Sequence, residues 1–156
     1  MTEKKEKIIA TNRKARRNYQ IFETYEAGVS LRGDEVKSLR NSACSIEEGF
    51  ARIENNEVII YQMHIPEFTK SSYFKSEPKR PRKLLLHKKQ IARLWGLTAQ
   101  KGHTLIPLKV YFNQKGIAKI QLAVARGKKL YDKRRKLKEE YQRREVQHQM
   151  KQQKKR

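Results

Sequence analysis

The sequence predicts a mainly β protein: a small antiparallel barrel with two or three short flanking helices, followed by a basic C-terminal tail. Three observations predict it. Ile106, Leu108, Val110 and Phe112 in one segment, and Ala118, Ile120, Leu122 and Val124 in the next, alternate with the period of a strand. Strand patterns of this kind are joined irregularly and interrupted by only two short helical ones. The last 31 residues hold 14 Lys or Arg against 4 Asp or Glu, with no apolar stripe to join a core.

Along the chain, residues 19–27 are rich in aromatic and β-branched side chains and predict a strand. Residues 34–43 predict a short helix that covers one opening of the barrel. There Val36, Leu39 and Ala43 recur at helical spacing, and Asp34 and Glu35 stand in the first turn. Residues 58–65 predict a strand with Ile59, Tyr61, Met63 and Ile65 on one face. Residues 66–81 carry charge, Ser and Pro without periodicity and predict a long, partly mobile loop. Residues 88–100 predict a helix capped by Gly102, with Ile91, Leu94, Trp95 and Thr98 on one face and Trp95 as its core anchor. Asn113 to Gly116 supply the turn between the last two strands. The tail's acid-first pairs Asp132–Lys136, Glu139–Arg143 and Glu140–Arg144 each support a helix by about 0.2–0.5 kcal/mol. That is too little to hold a helix alone, so the tail is expected to be disordered when free and helical where phosphates neutralise it. The domain division is 1–125 and 126–156.

The net charge of +22 is uneven: +5 over residues 1–17, −5 over 18–67, +12 over 68–125 and +10 over 126–156. A compact chain with such an excess repels itself unless a polyanion offsets it. A membrane surface would require a basic amphipathic helix, a lipidation signal or an apolar span of about 20 residues, and the apolar run inside the basic cluster is only Leu84 to Leu86. Nucleic acid is the expected partner, and the oligonucleotide-binding (OB) type is the small barrel that suits it. Cys44 is the lone cysteine, and the N-terminus lacks the apolar stretch of a secretory signal, so a soluble, cytoplasmic monomer without disulfides is expected. His64, His87, His103 and His148 lack ligand spacing, and no HExxH, GxSxG or phosphate-loop word appears. No enzyme activity, metal or cofactor is expected.

Two basic clusters mix charge with shape-reading groups. Residues 12–19 combine Asn12, Arg13, Lys14, Arg16 and Arg17, offering planar forks, a point charge and an amide. Residues 79–89 embed Leu84 to Leu86 in six Lys or Arg without an acid, which predicts a rigid basic surface. Two of those leucines are expected in the core and the third against an unstacked base.

The words NRKAR (12–16), GDEVKSLR (33–40), RPRKLLLH (80–87) and VARGKKLYDKR (124–134), in this order, resemble the SsrA-binding protein family, also called small protein B. The resemblance implies an OB barrel that binds the transfer-RNA-like domain of transfer-messenger RNA (tmRNA). With elongation factor Tu, it would deliver that RNA to ribosomes stalled on messages without a stop codon. It implies tmRNA contacts for Asn12, Arg13, Lys14, Arg16, Glu26, Lys83 and Leu85. For Gly127, Lys128, Lys129, Tyr131, Asp132, Lys133 and Arg134 it implies a place in the ribosomal decoding site, with the rest of the tail in the message channel. Tyr131 stands where the family often has His, which keeps an aromatic face but removes an ionisable ring. Composition alone also accommodates a structural ribosomal protein bound to rRNA.

Overall fold

The computed structural model describes residues 5–68, 76–128 and 130–154, leaving out the side chains of residues 100, 101 and 130–133. Among the described residues, seven strands and four helices follow in the order β1 (Lys7–Thr11), α1 (Ala15–Asn18), β2 (Tyr19–Val29), α2 (Gly33–Arg40), β3 (Phe50–Glu54), β4 (Glu57–Tyr61), β5 (Arg82–Leu85), α3 (Lys88–Lys101), β6 (Thr104–Phe112), β7 (Ala118–Gly127) and α4 (Leu130–Lys154). Every strand pairing is antiparallel, in the sheet order β1-β6-β3-β4-β5-β2-β7, and β6 also pairs with β7. The sheet therefore curls toward an OB-like barrel. Its closure is thin: β3 meets β6 at Ala51↔Leu105 alone, and β2 meets β5 at two register pairs.

Apolar side chains from all sides of this curl meet inside it, among them Val58, Ile60, Leu84, Ile120 and Leu122. A second, smaller cluster lies on the other side of β6 and β7, where Ala15 of α1 packs on Ile106, Leu108, Ala123 and Ala125. Both faces of β6 are thus buried, and the register shift between Pro107 and Lys109 divides them. Leu105 before it and Val110 after it face the main core, whereas Ile106 and Leu108 face the second cluster. The single alternation expected for Ile106 to Phe112 misses this change of phase.

A similar change corrects the expected face of residues 58–65. Val58 and Ile60 are the inward pair of β4, Ile59 and Tyr61 are half-buried, and Met63 and Ile65 turn inward again. Gln62, at φ 59°, supplies the irregular residue that shifts the phase. The turn from β3 to β4 has Asn55 and Asn56 both at positive φ, as a two-residue hairpin requires.

Leu39 of α2 and Leu94 of α3 are completely buried and plug the barrel. Gly102 ends α3 in the left-handed conformation, φ 65°, and its N–H reaches the carbonyl of Leu97. Trp95 is not the core anchor expected of it. It is 57% exposed, because the adjacent Leu94 takes the inward position and one residue turns a helix by about 100°. The indole instead lines an open groove of about 430 Å³ with Arg52 and His103.

The described part of the loop before β5 is well tied. Ser76 donates to Asp34 from its backbone N–H, at 2.8 Å, and from its hydroxyl, at 3.1 Å, and Ile65 N–H donates to the Pro78 carbonyl at 2.9 Å. Residues 69–75 of the expected mobile loop lie outside the described residues.

Candidate nucleic-acid interface

In the NRKAR word, burial of Ala15 forces the neighbouring cations outward. Arg13, Lys14, Arg16 and Arg17 are all exposed around α1, with Lys14 3.7 Å from Glu47. Asn12 is different: it is only 7% exposed, its N–H donates to the Leu108 carbonyl at 2.7 Å, and its Nδ2 donates to the Pro107 carbonyl at 3.1 Å. It clasps the end of β1 to the irregular point of β6. Its Oδ1 is buried without a partner among the described residues, which leaves that oxygen and the second Nδ2 hydrogen as the amide's open hydrogen-bonding positions.

Glu26 and Leu85 come together on one outer surface. Leu85 is paired with Gly28 across β2 and β5, and Glu26 stands two residues along β2 on the same face, about 7 Å away along the strand. Leu85 is 53% exposed, Leu84 is 1% exposed and Leu86 is half-buried, the division expected of the three leucines. Gly28 permits this close strand approach, since a Cβ there would lie 3.2 Å from the Leu85 Cβ. Lys83 is exposed and bonded to Glu57 at 3.1 Å.

The basic cluster around β5 is less available than its composition implies. Arg82 is 1% exposed and points inward. Its guanidinium donates to Glu35 Oε2 at 2.5 Å, to the Met63 carbonyl at 2.7 Å and to the Pro78 carbonyl at 3.1 Å. Arg80 donates to Glu35 Oε1, also at 2.5 Å. Burial by itself would push the Glu35 carboxyl up, but the Arg32 N–H and the two guanidiniums outweigh it and hold the group below its usual range. Two cations of the expected basic surface thus hold the loop and β5 to α2, and Lys83 and Leu85 project from this fixed base. Burial pushes the nearby Cys44 thiol up to about 12, which leaves it unreactive at neutral pH.

The GKK word begins inside the fold. Gly127 closes β7 opposite Tyr19, and Lys128 donates from its N–H to the Asn18 carbonyl at 2.9 Å and from Nζ to the Arg16 carbonyl at 2.8 Å. Lys129 lies outside the described residues; Tyr131, Asp132 and Lys133 belong to α4, but their side chains are likewise outside the description. Arg134 and every later described side chain of α4 are exposed. Glu139 bonds the preceding Arg135 at 3.3 Å, so the expected Glu139–Arg143 pair does not close. At the root of α4, a groove of about 270 Å³ gathers Arg13, Arg16, Arg17 and Lys136 with Glu140. Four cations against one carboxylate make it attractive to phosphate.

Among the described residues no group of His, Cys, Asp and Glu could hold a metal ion, and no helix is long and apolar enough to cross a membrane.

Tyr111 is the residue of this surface that sequence reasoning missed. Its hydroxyl donates to Glu26 Oε2 from two strands away, and no sequence spacing announces a pairing across 85 positions.

A family model described as SmpB protein matches residues 9–152. An SsrA-binding protein of Moorella thermoacetica is 54% identical over 128 residues, 82% of this chain and 83% of that relative. One from Caldanaerobacter subterraneus subsp. tengcongensis is 52% identical over 153 residues, 97% of this chain and 96% of that relative. A solved structure described as "tmRNA-SmpB: a journey to the center of the bacterial ribosome" is 50% identical and superposes with a TM-score of 0.65, covering 78% of this chain and 85% of that one.

Proposed function

Because this chain belongs to the SsrA-binding protein (SmpB) family, we propose that it binds the tRNA-like domain of tmRNA and brings that RNA to stalled ribosomes as the adaptor of trans-translation. The observation that carries the reading is the two-part surface. Cations of α1 surround a buried Ala15, and Glu26 and Leu85 share a separate, less charged face. The first suits phosphate, which fixes orientation; the second suits a base edge or ribose hydroxyl beside an apolar contact, which reads a folded RNA loop.

In this reading residues 1–125 form the tmRNA-binding body and residues 126–156 the tail, whose first three residues, Arg126 to Lys128, stay attached to the body through β7 and the carbonyls of Arg16 and Asn18. Asn12, Arg13, Lys14, Arg16, Glu26, Lys83 and Leu85 contact tmRNA. Gly127, Lys128, Lys129, Tyr131, Asp132, Lys133 and Arg134 enter the decoding site. The tail is disordered in the free chain and helical in the vacant message channel, since the exposed side chains of α4 give that helix little of the fold to rest on. The protein acts in the cytoplasm as a monomer, within a complex that includes elongation factor Tu, and performs no catalysis.

Sequencing the RNA that co-purifies with the full chain at moderate salt tests the function. A single dominant tmRNA species is expected, and a pool dominated by rRNA would favour a resident ribosomal protein instead. Salt titrations separate the two surfaces. Arg16→Ala is expected to lower the slope of log affinity against log salt by about 0.7 to 0.9, the value of one phosphate contact. Glu26→Ala is expected to weaken binding with the slope unchanged. Equal slopes for both variants would contradict the assignment.

A further inference from the structure

We propose that Tyr111 is a positioning residue for Glu26, holding one carboxylate oxygen so that the other is presented to RNA. The inference rests on the reading of Glu26 as a tmRNA contact. It starts from a contrast in exposure: Glu26 is exposed on β2, whereas Tyr111, whose hydroxyl donates to Glu26 Oε2, is only 3% exposed on β6. An exposed glutamate ordinarily samples several rotamers, and ordering a long, flexible side chain costs entropy on binding. A carboxylate already bonded to a buried phenol has lost much of that freedom before the ligand arrives.

The phenol is itself held on several sides. Tyr111 is paired with Ile8 of β1 on one edge and with Lys119 of β7 on the other, and the Lys109 ammonium lies 4.8 Å from the centre of its ring. Lys109 is in turn 3.9 Å from Glu6. No other hydrogen bond to the Glu26 carboxylate is made among the described residues, so Oε1 remains an acceptor. A carboxylate fixed in this way favours a base amino group or a ribose hydroxyl arriving from one direction, and it repels phosphate.

Burial, reinforced by the bond to Glu26, pushes the Tyr111 hydroxyl above its ordinary value of 10.0. A raised value keeps the proton in place below the unfolded-state value and releases it only as pH climbs beyond that. The donor is therefore constant from about pH 6 to 9, and the part of binding that depends on it should be flat there.

The test is a mutant cycle on tmRNA binding by the full chain, with melting curves for each variant. Tyr111→Phe keeps the ring and removes the donor, and it is expected to weaken binding roughly three- to tenfold. The same substitution should add nothing in a Glu26→Ala background. It should still weaken binding in a Glu26→Gln background, where the amide oxygen can accept from the phenol. A merely structural role would give equal losses in all three backgrounds, which overturns the proposal while leaving Glu26 as an RNA contact. Unchanged binding by Glu26→Ala would overturn the reading of Glu26, and the proposal with it.

Discussion

Ending the chain after Lys128 is expected to leave tmRNA binding close to that of the full chain and to abolish tagging on stalled ribosomes. The cut respects the fold. The β7 strand continues through Gly127, with Arg126 and Gly127 paired to Gln20 and Tyr19, and Lys128 holds the carbonyls of Arg16 and Asn18. A cut at Val124 would instead remove the buried Ala125 and unpair the start of β2, mixing loss of structure with loss of the tail. After Lys128, the described residues removed all belong to α4, whose described side chains from Arg134 onward are exposed. Gel-shift affinity for tmRNA and tag addition on ribosomes programmed with a stopless message would be measured side by side. Loss of tmRNA binding in the truncated chain would contradict the division between body and tail.

Replacing Glu35 by Ala is expected to destabilise the protein by about 3–5 kcal/mol, because it leaves a buried guanidinium without its counter-charge. Glu35 and Arg82 have side chains 2% and 0% exposed, and Arg80, at 24%, shares the same carboxylate. The substitution also removes the acceptor for the Arg32 N–H at the start of α2. Urea or guanidinium unfolding would measure the loss, and a change below about 1 kcal/mol would show that water replaces the carboxylate at little cost. The pH dependence follows from the depressed Glu35 value. The carboxylate's contribution is fully present above the unfolded value of 4.5 and disappears as pH falls through the lower folded value. The wild-type chain should therefore lose stability in acid more steeply than Glu35→Ala.

Elements whose pattern was local were legible in the sequence. The last two strands, their Asn113–Gly116 turn and the end of α3 at Gly102 needed only alternation and turn chemistry. The β1 and β5 strands were not anticipated, since each is four or five residues long and gains its place from neighbours distant in sequence, and β3 was missed although its main partner is the adjacent β4. Asn55-Asn56 was the available signal for the β3–β4 hairpin, being a pair that tolerates positive φ. Faces were lost wherever a strand changed phase, at Gln62 and between Pro107 and Lys109, because one irregular residue exchanges the inward and outward sets. Trp95 illustrates a different limit: helical spacing offered two neighbouring apolar residues for one inward position, and only the packed fold shows that Leu94 occupies it.

At the candidate site, the exposed cations of α1 could be read from composition, and burial logic put two of Leu84, Leu85 and Leu86 inward, while only the family resemblance singled out Leu85 as the outward one. The use of Arg80 and Arg82 inside the molecule could not, since a run of basic residues does not state which of them face a distant Glu35. The same holds for Asn12, whose amide is engaged with a carbonyl 95 positions away.

The clasp made by Lys128 gives the tail a fixed origin. Beyond it runs α4, 25 residues long, which at about 1.5 Å per residue makes a rod of roughly 37 Å. Under the proposed function, a helix of this length would convert the position of the bound RNA into a distance at its far tip. If the tail is helical when bound, how deep its tip can reach would be set by a count of residues along α4, independently of how strongly any one of its cations is attracted.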